Sequence, residues 1–438
     1  MKLVSTIILL LGALSVVVKF SLAVDCEKTP KNNELRLKKD MLCTYDKSVR
    51  PNGGSKNATI VKVKMVVKSY DYVEYNNHIN VFVWMVMAWT DDHFKWDPRE
   101  YGNLKTFYEM SDQIWMPDLS LYNGEIQENS CETTNCVISS TGSVICVPPC
   151  KYSGHCAGSF TRWPYDRQNC TLNFGAWINT GEEINFVPAK NSVETTDSLL
   201  NHEWKLVSIS MKKHDGSYAC CPNQTFPSLR YNFILERHAS IFTVYLLIPT
   251  IVLVLINMIT LLLSPRGNDR WILIALSFVG HILFIQQLSW VVPKNGETIP
   301  NCLLFYRDST AIIGILALNT IIVRILMGLE CDVPHWLSSP VDMVKDSAAG
   351  KFVVDPSKIK MEKMEEGAED DTAILVEPKA NDHKNTTKWN FVASLIDRLV
   401  LIIVTLTYFF LIILLIPENY ESSEGLTAIE IASTNVQQ

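Results

Sequence analysis

Charge is scarce in this chain, and its balance has the wrong sign for nucleic acid. Of 438 residues only 19% are charged while 47% are hydrophobic, a charged share below the roughly 25% of an ordinary soluble protein. The formal net charge is −7, so no basic field exists to hold phosphates, and a nucleic-acid partner is excluded. Histidine is thin too: nine residues, scattered, without the spacing that a metal centre or a catalytic constellation requires. No internal repeat is visible, and the chain lacks the repeated, broken membrane helices of a transporter. These absences argue against an enzyme, a cofactor or metal site, and a carrier.

Cysteine is nearly missing from the second half. Ten of the twelve cysteines precede residue 222, leaving only Cys302 and Cys331 beyond it. That asymmetry indicates an oxidised first half and a different environment for the rest. The N-terminus agrees. Lys2, an apolar run through Val18, and small residues at Ser21 and Ala23 form a secretory signal peptide over residues 1–23, with cleavage expected near Ala23. A signal anchor is the alternative, disfavoured by the shortness of the run.

Residues 24–238 read as one β-rich domain. A Leu-punctuated, charged stretch in 25–50 predicts a short amphipathic helix, flanked by Cys26 and Cys43, which are candidates to pair. Val61, Val63 and Met65 alternate with Lys62 and Lys64, predicting a strand with one wet face. A second alternation runs from Ile79 to Trp89, and further strands are expected at 137–147, 171–178, 203–212 and 229–237. Many short strands between Gly, Pro, Asn and Asp clusters predict an antiparallel β-sandwich.

At residue 238 the composition breaks. Four apolar spans follow at about 240–263, 271–292, 309–329 and 391–416, each long enough to cross roughly 30 Å of hydrocarbon. They divide the rest into helices one to three (239–330), an intracellular loop (331–388), a fourth helix (389–417) and a tail (418–438). With the N-terminus outside, Arg266, Arg270 and the lysines between 345 and 363 fall inside, in keeping with the positive-inside bias. The tail would then be extracellular, and the membrane the plasma membrane.

Cys156 and Cys170 bracket thirteen residues that include Trp163-Pro164-Tyr165-Asp166, a turn suited to a cis peptide bond. Closing a loop of about 15 residues with a disulfide is worth roughly 3 kcal/mol in the chain-entropy model. An ordinary stapled loop is one reading. The residue types favour another, for the segment resembles the signature loop of the Cys-loop receptors, the pentameric ligand-gated ion channels. The β-sandwich followed by four spans is similar to that family's plan across nearly the whole chain. Lys388-WNFVASLIDRLVL and Pro249 within Leu246-LIPT are similar to nicotinic acetylcholine receptors at the same places. An alpha-like subunit of invertebrate kind is the nearest pattern.

That resemblance implies a ligand site between subunits. Tyr122, Trp177, Tyr218, Phe226 and the adjacent Cys220-Cys221 stand where a principal face is expected, and Trp84, Ile145 and Val147 where a complementary face is. Several ring faces around one ammonium replace its water at ~0.5–2 kcal/mol per contact. Taken singly, each ring is more simply core or interface filler. A vicinal disulfide at Cys220–Cys221 would mark an alpha-type subunit, with metal-binding and free-thiol readings as alternatives. One chain carries both faces, so a homopentamer is the economical assembly, with other receptor subunits as possible partners. Phe226 stands where Tyr is usual, and Ile145 and Val147 make an apolar wall, which leaves a small cationic or a bulkier amphipathic ligand open.

Between them, if Ser140-Thr141-Gly142 is a turn, position sums near 282 pair Cys136 with Cys146 and put Cys131 almost opposite Cys150. Local pairs Cys131–Cys136 and Cys146–Cys150 compete. Sequons fall at Asn57, Asn169 and Asn223. The second span resembles the pore-lining helix, with Asp269, Ile272, Leu276, Val279, Leu283, Gln286 and Trp290 on one stripe. Without the resemblance, so apolar a stripe would simply face lipid. The expected function is a chemically gated cation channel. The alternative is a chemosensory receptor for a bulkier amphipathic ligand, with a poorly conducting pore.

Overall fold

The computed structural model describes residues 31–51, 57–125, 129–294, 298–334, 341, 343–344 and 380–415. The signal peptide, Cys26, most of the 331–388 loop and the tail lie outside them. The chain divides into two compact units, one holding residues 1–158 and 168–236, the other 159–167 and 237–423.

The first unit is built from two sheets. Helix α1 (Asn33–Leu42) opens it, capped by Asn32, whose side chain accepts from the backbone of Glu34 and Leu35. β1 (Thr59–Val73) and β2 (His78–Lys95) pair antiparallel, and β10 (Ile184–Glu194) joins β1 in parallel. β7 (Thr141–Cys146), β6 (Asn135–Ser139) and β3 (Thr106–Met110) extend the sheet, while β8 (Pro149–His155) pairs with β2 and with the short β5 (Ser130–Cys131). The second sheet runs β11 (Trp204–Gly216), β12 (Phe226–Arg237), β9 (Arg167–Gly175), β4 (Ser120–Leu121). Alternation puts Val61, Val63, Met65, Val83 and Met85 fully inside. Tyr152 meets Phe174 edge-on at 4.8 Å and Phe174 meets Tyr231 at 5.7 Å, joining the two sheets through aromatic contacts.

β2 continues six residues past the expected Trp89. The buried Asp91 permits this, because its carboxylate accepts from the Tyr45 hydroxyl at 3.0 Å and the His93 N–H at 3.0 Å. A buried carboxylate with such partners no longer breaks the strand. The β6–β7 hairpin pairs Val137 with Ile145 and Ile138 with Val144. Disulfides join Cys136 to Cys146 and Cys131 to Cys150, so the local pairing is the one the structure rejects. Cys43 is disulfide-bonded.

The second unit holds four long helices: α2 (Ser240–Leu262), α3 (Asn268–Val291), α4 (Asn301–Met327) and α5 (Ala380–Leu415). All four contain stretches long and apolar enough to cross a membrane. α3 and α4 start three and eight residues earlier than expected, so Arg270 is a helix residue and not a loop charge. It is fully buried. Its guanidinium forks onto Asp397 of α5 at 2.6 and 2.9 Å and donates to Thr320 of α4 at 3.0 Å. Asn319 supplies a further bond to Asp397 at 2.7 Å. Midway along, Ser277 donates to Asn257 at 2.6 Å, Asn257 to Tyr408 at 2.6 Å, and Ser309 bridges Tyr408 and His281 at 2.8 and 2.7 Å. One polar chain thus links all four helices.

The segment 159–167 belongs to this unit. Its Trp163–Pro164 bond is cis. Trp163 stacks near Phe242 at 5.3 Å, the Tyr165 hydroxyl bonds that of Thr243 at 2.7 Å, and the Thr161 carbonyl accepts the Asn301 N–H at 2.9 Å.

Breaking a buried ion pair costs about 3–5 kcal/mol because one charge is left alone, whereas an apolar replacement of both partners is often neutral. Arg270→Ala should therefore lower the thermal midpoint of the reconstituted protein strongly. Arg270→Met combined with Asp397→Leu should restore most of it. Equal loss in the single and double variants would contradict this account.

Candidate functional site

The aromatic cluster is positioned by β4, β9 and β12. Tyr122 follows β4 directly and its N–H bonds the Asn173 carbonyl at 2.8 Å. Its ring lies across Gly175, where any Cβ would collide with it, so glycine is required there for the close approach. The hydroxyl donates to the Ala176 carbonyl at 2.7 Å. Burial, with Tyr218 and Asp118 nearby, pushes the Tyr122 phenol up to about 12, so it stays neutral at working pH.

Trp177 follows β9 and is 67% exposed, an unusual state for a large apolar ring with no partner to cover it. It is held there from behind. The carboxylate of Asp118 accepts the Trp177 N–H at 2.9 Å and the Ile178 N–H at 3.3 Å, and its other oxygen takes the Ser120 hydroxyl at 2.9 Å. Tyr122 and Trp177 have ring centroids 6.4 Å apart. The arm before β12 adds Tyr218, half exposed, edge-on to Phe226 at 5.4 Å. The Gly181 N–H bonds the Thr225 carbonyl at 2.7 Å, tying this arm to the Trp177 loop. The structure therefore gathers Tyr122, Trp177, Tyr218 and Phe226 around two connected loops.

Cys220 and Cys221 differ from the expected bond. Their sulfurs stand 2.8 Å apart, closer than unbonded contact and longer than a disulfide. Their backbone forms a turn closed by the Cys221 N–H on the Tyr218 carbonyl at 3.0 Å.

Trp84, Ile145 and Val147 lie elsewhere, on the outer face of the larger sheet, all partly exposed. Trp84 pairs with Val66 and with Pro149, and Ile145 with Ala88. Among the described residues Trp84 has its ring partner in Lys68, whose Nζ stands 3.8 Å above the ring centroid, and not in the four clustered aromatics. One chain thus carries two separate aromatic faces. Sequence reasoning missed Asp118 and Lys68. Asp118 had a signal, a Pro-Asp turn two residues before β4. Lys68 had none, since it sits at a bulge between Val67 and Ser69.

On α3 the expected stripe of Asp269, Ile272, Leu276, Val279, Leu283, Gln286 and Trp290 is exposed throughout, while Arg270, Ile274, Ser277, His281 and Leu288 form the buried stripe. Cys156–Cys170 is a disulfide; Cys302 is a buried thiol and Cys331 an exposed one. Asn57, Asn169 and Asn223 are exposed.

Comparison with known proteins matches this geometry. Residues 34–239 fit the family described as neurotransmitter-gated ion-channel ligand binding domain. Acetylcholine receptor subunit alpha-like 2 of Drosophila melanogaster is 26% identical over 362 residues, 75% of this chain and 62% of that protein. Neuronal acetylcholine receptor subunit alpha-5 of Homo sapiens is 27% identical over 269 residues, 61% of this chain and 57% of that protein. Acetylcholine receptor subunit alpha-L1 of Schistocerca gregaria is 26% identical over 301 residues, 66% of this chain and 54% of that protein. The chain spans about three fifths of the length of these relatives. A segment similar to a neurotransmitter-gated ion-channel ligand binding domain in the first unit, followed among the described residues by four helices long and apolar enough to cross a membrane in the second, supports a nicotinic-like subunit of the Cys-loop receptor kind.

Proposed function

We propose that the chain is the subunit of a ligand-gated, cation-selective channel whose ligand binds between copies of itself in the plasma membrane. Tyr122, Trp177, Tyr218 and Phe226 form the principal wall. Trp84, Ile145 and Val147 of a neighbouring copy form the complementary one. The observation that carries this reading is the exposed Trp177, fixed by Asp118 with its ring bare. A tryptophan held rigid and uncovered is an anchor awaiting a partner. In the oxidising extracellular space Cys220 and Cys221 close to a disulfide, and non-reducing peptide mapping of the mature protein decides between that bond and two thiols. The N-terminal domain and the C-terminal tail are extracellular, and Asn57, Asn169 and Asn223 are glycan acceptors. The named relatives are receptor subunits, which fits a protein without catalytic activity.

Five Asp269 carboxylates would ring the inner mouth, concentrating cations and repelling anions. The family's anion channels usually carry a proline insertion and an alanine at this mouth, and Asn268-Asp269-Arg270 has neither. Above them Ile272, Leu276, Val279 and Leu283 would stack four apolar rings with no polar interruption before Gln286. Hydrophobic constrictions gate by dewetting, and this one is long. Trp290 adds bulk where an acidic ring is usual.

The second reading, a chemosensory receptor for a bulkier amphipathic ligand with a reluctant pore, is favoured by Ile145 and Val147 and by Lys68 on the Trp84 ring.

Trp177→Ala should lose about 1–3 kcal/mol of ligand binding from lost ring contact and buried area, with thermal stability unchanged. Undiminished affinity in a folded variant would remove the site. For the pore, the unmodified homomer should pass little current under voltage clamp, and Val279→Ser or Leu276→Ser should raise it. Large currents from the unmodified homomer would contradict the barrier. Reversal at the chloride potential would contradict the Asp269 argument alone.

A further inference from the structure

The wall around Trp84 already contains a cation. β1 and β2 lose register between Val67 and Ser69, and Lys68 is the extra residue of that bulge. A bulge re-aims the side chain it carries. Here it lays the Lys68 ammonium on the Trp84 ring at 3.8 Å. The side chain is only 14% exposed, and its Nζ also pairs with Asp197 at 3.2 Å. Asp197 itself is 73% exposed, on the segment before β11. The next part of that segment is fastened to the bulge, for the Leu199 N–H bonds the Lys68 carbonyl at 2.7 Å. Beside it opens a cavity of about 530 Å³, lined by Phe82, Leu199 and Leu200, with one basic residue, Lys151, and one acidic residue, Asp71, also on its wall. Phe82 and Trp84 stand two apart on β2 and so share a face. Leu199 and Leu200 are 71% and 89% exposed.

We propose that Lys68 sets the ligand class of this site: an apolar molecule carrying a carboxylate, in place of a simple ammonium. This rests on the interface site described above. A free ammonium approaching Trp84 meets a like charge on the ring it would use, and repulsion at such range in a shielded site opposes binding. A carboxylate meets the reverse situation. Asp197 is a carboxylate of the chain itself, seated on Nζ while Nζ keeps the ring. Lysine has three donors, so a ligand carboxylate takes the place of the exposed Asp197 without displacing Lys68. Its apolar body then covers Phe82, Leu199 and Leu200, and since Lys151 and Asp71 on the same wall offset each other in charge, Lys68 is left to select the ligand's sign. Val66 faces Trp84 across the ladder and Glu194 stands on its other side, where the Lys64 ammonium pairs with it.

The test titrates the full chain, reconstituted in lipid nanodiscs, with two probes of one shape, phenylpropionate and phenylpropyltrimethylammonium. The natural chain should bind the carboxylate about tenfold more tightly, the size of effect a single charged contact supplies. Lys68→Met should reverse that order, Lys68→Arg should keep it, and Asp197→Asn should widen it by removing the resident competitor. A natural chain that prefers the ammonium, or binds neither probe, overturns the proposal, as does an unchanged ratio in Lys68→Met. Trp177→Ala separates the two levels. If it weakens both probes while Lys68→Met leaves their ratio alone, the interface site stands and the Lys68 assignment falls. If it weakens neither, the interface reading falls.

Discussion

Two charges beyond the reach of water hold the loop tip to the start of the membrane helices. Asp166 and Arg237 are each 1% exposed at the side chain and meet through two oxygens at 2.7 and 3.0 Å. The Arg237 N–H adds a third bond, to the Asp166 carbonyl at 3.3 Å. Neither charge survives burial without the other. Their pairing fixes where β12 ends, because Arg237 is its last residue and α2 begins three residues later. It also fixes the loop tip, whose Trp163 and Tyr165 reach Phe242 and Thr243 on α2.

A second constraint acts in the first unit, the twofold alternation of β2. Inward residues build the core, and outward ones are left to meet something else. Phe82, Trp84 and Ile145 are outward, apolar and partly exposed, with Lys68 laid on the Trp84 ring. Across the other sheet, the carboxylate of Asp118 performs the matching task, holding Trp177 out by its backbone. Neither face is complete alone. An anchor ring on one and an apolar wall on the other are what two copies of one chain, meeting head to tail, would bring together.

Much of this was legible from residues. Strand and helix periods gave the two-part architecture, and length with hydropathy gave four spans. The hairpin register followed once Ser140-Thr141-Gly142 was taken as the turn, but the choice between Cys136–Cys146 and the local pairs stayed open until the structure decided it. What escaped was long-range or irregular. Arg270 reads as a loop charge until Asp397, distant in sequence, is seen to claim it. Asp91 reads as a strand end until Tyr45 satisfies it. Lys68 reads as one more wet lysine like Lys62, because a bulge leaves no mark in the alternation. His281 reads as an oddity within an apolar span, and becomes intelligible only as a link from Ser277 to Ser309. The aromatic residues were found by their resemblance to a family pattern, but the carboxylate that positions Trp177 had to be seen.

The central claim is that one ligand site is shared by two copies of this chain, and a co-assembly experiment addresses it most directly. Chains bearing Trp177→Ala and chains bearing Trp84→Ala are each expected to lose ligand binding when expressed alone. Expressed together, they form some interfaces in which an intact Trp177 faces an intact Trp84. Binding should then return to a substantial fraction of the unmodified level. Absence of any recovery, with mixed assemblies verified by differential tags, would contradict a site built between subunits.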